Sequence, residues 1–276
     1  MAQTKTSLAN LALMHLGGGP PFFTDIDTDT TKEGKLFIQC LDNSRLAVLR
    51  AHPWNFAIDR VSLALKAITN CVNSGAGLIR VTAVGHGLST GNFVTVASVQ
   101  GTSEANGQWT VTLVDANTVD LQASTFTNTY VSGGVIGLAS AYEFQFKQAL
   151  PTGFVRLVSI EDDPEFEVEG AYIVTDSQTL KIKFVKDVFS GITNYASMDP
   201  QFFQALSLHL AWSACYAITQ SNKLRMEIWE SLQQVIGRAR HVDSTESPAK
   251  QFTADEWDFA RISSGGRVKW DRNYRD

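Results

Sequence analysis

The sequence predicts an α+β protein: a helical bundle with a small antiparallel sheet or hairpin, interrupted by an inserted all-β barrel or sandwich. Three observations predict it. Apolar residues recur at helical spacing near both ends of the chain. Period-two alternation, punctuated by Gly and Asn turns, fills the middle. Charge nearly vanishes there as well: between Lys66 and Glu143 the only formal charges are Arg80, Glu104, Asp115 and Asp120. The boundaries that follow are 1–67 and 141–242 for a framework, 68–140 for the insert and 243–276 for an extended C-terminal arm.

The first helix is predicted from Ser7 to Leu16, capped by Thr6 or Ser7, with Leu8, Leu11 and Ala12 on its faces. Gly17-Gly18-Gly19-Pro20-Pro21 ends it. His15 at that end reads as a partner of the terminal carbonyls rather than a ligand. The glycine run follows a helix, not a strand, and lacks Gly-Lys-Ser/Thr, so it is no phosphate cradle. Asp25, Asp27 and Asp29 alternate as calcium ligands do. A calcium loop counted from Asp25 needs Gly and Glu where Thr30 and Leu36 stand, so the stretch reads as a solvated, capping linker.

Thr30-x-x-Glu33 has the form of a capping box. Leu36, Phe37, Cys40, Leu41, Ser44, Val48 and Leu49 then keep helical spacing, and Pro53 stops the helix near His52. Trp54 and Phe56 alternate with Asn55 and Ala57, which predicts a core strand from Trp54 to Leu65.

In the insert the runs LIRVTAV, FVTVASV, QWTVTLVD and TVDLQAS predict five or six short strands. His86, between two glycines, reads as a tight turn with an exposed imidazole. Trp109 lies inside an alternating strand and reads as core rather than as a sugar-stacking platform. Nothing sets Glu104 and Asp115 at the fixed separation of a glycosidase pair.

The framework resumes at Tyr142, Phe144 and Phe146, alternating with polar residues as a strand with an aromatic face. FVRLVSI is the next strand. Glu161, Asp162, Asp163 and Glu165 form an acidic patch, read either as a solvated loop or as a lumen- or partner-facing charge. AYIVTDSQTLKIKFV reads as a hairpin bending at Asp176-Ser177-Gln178. Lys181, Lys183 and Lys186 keep its edge soluble.

Asp199-Pro200 opens a helix with its cap and a proline at the first position. Phe202, Phe203, Leu206, Leu210, Ala214 and Ala217, broadened by Leu208, Trp212 and Tyr216, make it apolar nearly all round, so it requires burial on more than one side. His209 in its middle reads as a core residue. A last helix from Asn222 to His241 completes four, which predicts a bundle. The polar arm beyond it cannot form its own core, yet carries Phe252, Trp257, Phe259 and Trp270.

SLANLALMHLG near the start, the Thr/Asp-rich link, LRAHPWNFA (Leu49 to Ala57) and a late helix ending Arg-Ala-Arg resemble the head-to-tail adaptors of short-tailed bacteriophages, the tail tubular protein A family. The resemblance covers roughly 4–67 and 141–245, with LRAHPWNFA its most specific part. It implies a virion structural protein at the head–tail junction, made in the host cytoplasm. Such a protein is a homo-oligomeric ring, a dodecamer, between the portal protein and the tail nozzle protein. DNA passes through its channel at ejection without sequence-specific binding. Phe202, Phe203, Leu206, Leu210, Trp212 and Tyr216 would then pack between subunits. The arm would dock on the portal through Phe252, Trp257, Phe259, Arg261, Arg267, Lys269, Trp270 and Arg272. The insert (GLIRVTAVGHGLSTGNFVTV, then EANGQWTVT) resembles a small β-domain of phage tail proteins and would face outward, where it could support tail fibres. The alternative is an oligomeric binding module whose insert recognises a host surface glycan.

A net charge of −5 has the wrong sign for gripping nucleic acid over a broad surface, and an acidic lining would let DNA slide. Cys40, Cys71 and Cys215 have no Cys-x-x-Cys spacing and read as reduced thiols. No apolar run approaches the roughly 18 residues of a membrane span, and no signal-peptide pattern opens the chain. With no nucleophile elbow, nucleotide loop or metal spacing, the sequence predicts no enzyme, no cofactor and no metal.

Overall fold

A computed structural model describes residues 3–20, 22–140, 142–189, 195 and 198–246. Within them the protein is a mixture of helices and antiparallel sheets. The helices are α1 (Lys5–His15), α2 (Lys32–Ala51), α3 (Pro200–Thr219) and α4 (Asn222–Glu246). Of these, α3 packs against each of the other three. That position explains its apolar circumference: Phe202, Leu206, Leu210, Ala211 and Ala214 are all buried within the chain.

Side-chain caps set the helix starts, and two of them move. Thr4, not Thr6 or Ser7, caps α1: its Oγ1 accepts from the Ser7 backbone N–H at 3.0 Å, while Ser7 Oγ accepts from Thr4 N–H at 2.8 Å. Thr6 instead accepts from Ile26 N–H, tying the following linker to the helix. Thr31, not Thr30, caps α2, its Oγ1 accepting from Gly34 N–H at 3.1 Å, so Glu33 stands one position too early to close the predicted box. The linker aspartates serve local structure: Asp29 accepts from the Thr31 hydroxyl and backbone, and Asp27 pairs with Lys5. At α3, Asp199 accepts from Gln201 and Phe202 N–H, as predicted.

After Pro53 the chain makes a 3₁₀ turn (Asn55–Ala57) before β1 (Ile58–Ala64), so the predicted strand starts four residues late. The turn swings Trp54 inward. Its Nε1 donates to Val48 O at 2.9 Å, and its ring meets those of His52 and Phe202 edge-on at 5.1 and 5.2 Å.

The remaining strands are β2 (Lys66–Ala67), β3 (Asn70–Asn73), β4 (Ile79–Thr82), β5 (Phe93–Gln100), β6 (Gly107–Asp115), β7 (Thr118–Leu121), β8 (Ser132–Ala139), β9 (Phe146–Ala149), β10 (Phe154–Ile160), β11 (Phe166–Glu169), β12 (Tyr172–Thr175) and β13 (Thr179–Lys186). Two sheets result. One is β1-β13-β10; the other runs β11-β12-β9-β8-β5-β6-β7-β4-β3, with β2 added on β8. Both orders are open, with β3 and β11 at the ends of the larger sheet, so the strand order shows no closed barrel. The segment 66–73 nonetheless changes partner midway: Ile68 N–H donates to Gly134 O of β8, and Thr69 N–H to Thr82 O of β4.

Two predicted strand features are corrected. The hairpin over AYIVTDSQTLKIKFV does not form, because β12 pairs with β9 and β11 while β13 pairs with β1 and β10. The bend at 176–178 is a crossing between sheets, held by Asp176 accepting from Gln145 N–H and by Gln148 Nε2 donating to Ser177 O. The aromatic-faced strand from Tyr142 is likewise shorter: β9 begins at Phe146, and Tyr142 is exposed.

Among the described residues, the buried ones gather in three clusters. Ile68 to Ile136 form one of their own among β3–β8. The helices and the Trp54 corner form the largest. The third lies between the two sheets, with Leu180, Ile182, Phe184 and Ile173 at its centre.

Candidate functional site

The turn from α3 to α4 is tight, because Gln220 adopts a left-handed cap (φ 56°) and returns its N–H to Tyr216 O. The two helices therefore run side by side, and one aromatic face stays open. Trp212 on α3 and Trp229 on α4 have ring centroids 5.0 Å apart. The Arg225 guanidinium lies 4.5 Å above the Trp212 ring, an arrangement that holds a cation over a π face and fixes both side chains. Arg225 Nε is buried without a hydrogen-bond partner among the described residues. Trp212, Asn222, Arg225, Met226, Trp229 and Glu230 line a groove, with Tyr216 exposed nearby. Trp229 is 42 % exposed and Met226 67 %, a large apolar outlay on a face with a polar rim.

The sequence-predicted packing residues divide in two. Phe202, Leu206 and Leu210 are already covered by helices of the same chain, so for these three residues the burial is intramolecular. Phe203 is half-buried against that same core. Trp212 and Tyr216 remain on the open face. Sequence reasoning missed Arg225, Met226 and Trp229. The available signal was a tryptophan among the charged, outward positions of α4.

The acidic residues Glu161, Asp162, Asp163 and Glu165 are all exposed at the turn between β10 and β11. Glu161 pairs with Lys181 at 3.0 Å. The arm residues Phe252, Trp257, Phe259, Arg261, Arg267, Lys269, Trp270 and Arg272 lie outside the described residues. Their root is placed, however. Helix α4 continues to Glu246, so residues 243–246, assigned to the arm from sequence, are helical. His52 Nε2 meets Asp243 Oδ2 at 2.5 Å, Asn55 Nδ2 donates to Glu246 Oε2 at 2.7 Å, and Arg240 donates to Ala51 O. The polar side of the His-Pro-Trp-Asn corner thus clamps the end of α4.

The histidines singled out by sequence are structural. His86 is buried, not exposed: Nδ1 accepts from Leu88 N–H at 2.9 Å and Nε2 lies 3.2 Å from Asp115 O, which specifies the tautomer protonated at Nε2. Burial lowers the pKa of His15, beside Ser207, and of His209, beside Trp212. Trp109 packs on the β core and donates to Ala105 O. Asp115 accepts from Asn117 N–H and the Thr118 hydroxyl, within its own turn.

Glu104 holds the loop after β7. Desolvation would raise its carboxyl, but N–H donors from Asn128 and Thr127 outweigh this and lower it from an ordinary 4.5 to about 2. A carboxylate with a depressed folded pKa contributes stability that is present above the unfolded value and is lost as pH falls through the folded one. The insert should therefore lose protection of this loop between pH 4.5 and 2. Hydrogen exchange at Thr127 and Asn128 would report it, and Glu104→Gln should abolish the pH dependence.

Among the described residues no group of His, Cys, Asp and Glu is placed to hold a metal ion. No described helix is long and apolar enough to cross a membrane. No family model matches the chain, and no curated protein matches it.

Proposed function

We propose that this chain is a head-to-tail adaptor of a short-tailed bacteriophage: a helical-bundle framework with an inserted all-β barrel or sandwich, assembled as a dodecameric ring between portal and tail nozzle. The observation that carries the reading is the open face of Trp212, Arg225, Met226 and Trp229. Trp, Met and Arg are the residues enriched at protein interfaces, and a polar rim around fixed aromatics is the anatomy of a docking patch. In this reading that face packs between subunits. The end of α4 is clamped against the corner formed by LRAHPWNFA, the most specific part of the resemblance. The partner switch at Ile68 and Thr69, which lets one segment bridge β8 and β4, supports the barrel form of the insert.

The glycan reading gains nothing comparable, because Trp109, the platform it would need, is turned into the β core. The adaptor reading predicts that Trp212→Ala with Trp229→Ala weakens subunit association at least about tenfold, a loss of about 1.4 kcal/mol. Both side chains are partly exposed, so the fold should survive. Sedimentation velocity of the wild-type and double-variant chains checks it. Equal association by two well-folded proteins would overturn the placement of this face between subunits.

A further inference from the structure

We infer that one face of the three-stranded sheet is a binding strip for the phosphate backbone of double-stranded nucleic acid. The register fixes which side chains share the face. Ile58, Arg60 and Ser62 of β1 stand beside Val185, Lys183 and Lys181 of β13. On the other flank Arg156 and Ser159 of β10 stand beside Val185 and Lys183. One end of this face, at Ile58 and Val185, is covered by the helical core. The other end is an open groove lined by Arg60, Ser62, Ser159, Glu161, Lys181 and Lys183.

Its charge is only partly compensated. Lys181 is matched by Glu161 at 3.0 Å, and no ion pair engages Arg60, Lys183 or Arg156 among the described residues. Arg156 Nε is also buried without a hydrogen-bond partner there. Arg60 and Lys183 are directly opposite on neighbouring strands. Like charges so placed destabilise a sheet unless an anion lies between them. Elsewhere on these strands the lysine is matched, as Lys186 is by Asp59 at 2.9 Å.

The chemistry of the strip selects its ligand. Long cations beside the hydroxyls of Ser62 and Ser159 suit phosphate oxygens. Among the described residues no aromatic lines the groove, which disfavours both a protein partner, anchored by Trp or Tyr, and a single strand, held by base stacking. With a net charge of −5 the whole chain would repel a polyanion, so attraction has to be local. The place of this strip in the channel rests on the ring reading; its affinity for a duplex does not.

Fluorescence anisotropy of the full chain with a labelled duplex of about 20 base pairs, between about 50 and 200 mM salt, tests it. The wild type should bind with steep salt dependence. Arg60→Gln with Lys183→Gln should weaken binding at least about tenfold and reduce the salt slope by about 1.8, the share of two phosphate contacts. Lys223→Gln, on α4 and paired with Glu227, should change neither. Unchanged melting of the variants shows that both are folded. Absence of duplex binding, or binding indifferent to the double substitution, would overturn the inference. Displacement of the duplex by inorganic phosphate at equal phosphate concentration would also overturn it, by making the strip a site for the free anion. Portal-dependent assembly without duplex binding would sink the strip and leave the adaptor reading standing.

Discussion

Trp54→Ala should cost about 3–5 kcal/mol, the range for truncating a fully buried aromatic. Trp54 is 2 % exposed and touches His52, Phe56 and Phe202, so the substitution opens a cavity where α2, α3 and the start of β1 meet. It also removes the donor that satisfies Val48 O near the end of α2. For a chain of this size the melting temperature should fall by roughly 6–20 °C. Trp54→Phe keeps most of the volume and should lose less. A thermal midpoint within two degrees of wild type for Trp54→Ala would show that the corner does not hold the helices together.

Removing either partner of the Arg45–Asp187 pair should be comparably damaging. Their side chains are 10 % and 8 % exposed and 3.2 Å apart, joining α2 to the segment that follows β13. Arg45 also reaches Asp42, but that carboxylate is 83 % exposed and adds little. Arg45→Ala strands the Asp187 charge in the interior, at about 3–5 kcal/mol. Replacing both by apolar residues of similar volume, Arg45→Met with Asp187→Leu, should recover most of the loss, since Arg45 Nε has no partner to lose. Urea denaturation of both single variants and the double variant closes the cycle. Single variants within about 1 kcal/mol of wild type would contradict it, because that is the scale of an exposed pair.

Features read from local chemistry are the ones the sequence conveyed well. Asp199-Pro200 opened α3 as expected, and Pro53 ended α2 at Ala51. Alternation marked most strands but carries no information about their neighbours. Tyr172–Thr175 and Thr179–Lys186 look like two arms of a hairpin, yet each has both edges filled by other strands. The glycines around His86 suggested a turn and were right in that; the imidazole is buried because two backbone groups take up its nitrogens. The stripe on α3 announced burial on several sides, but not that α1, α2 and α4 supply it. The aromatic face was half legible: Trp212 and Tyr216 were visible in a stripe, whereas Trp229 and Arg225 join them only once Gln220 turns α4 back along α3. The cation row of Arg60 and Lys183 depends on strand register across 123 positions of sequence and could not be read beforehand.

The Trp212–Trp229 face is proposed to be covered by another polypeptide. Its most direct test is the mass distribution of the purified full chain, measured by mass photometry alone and with portal protein. A closed multimer, formed by itself or on the portal, is the predicted result; a chain that stays a monomer in both conditions contradicts the claim.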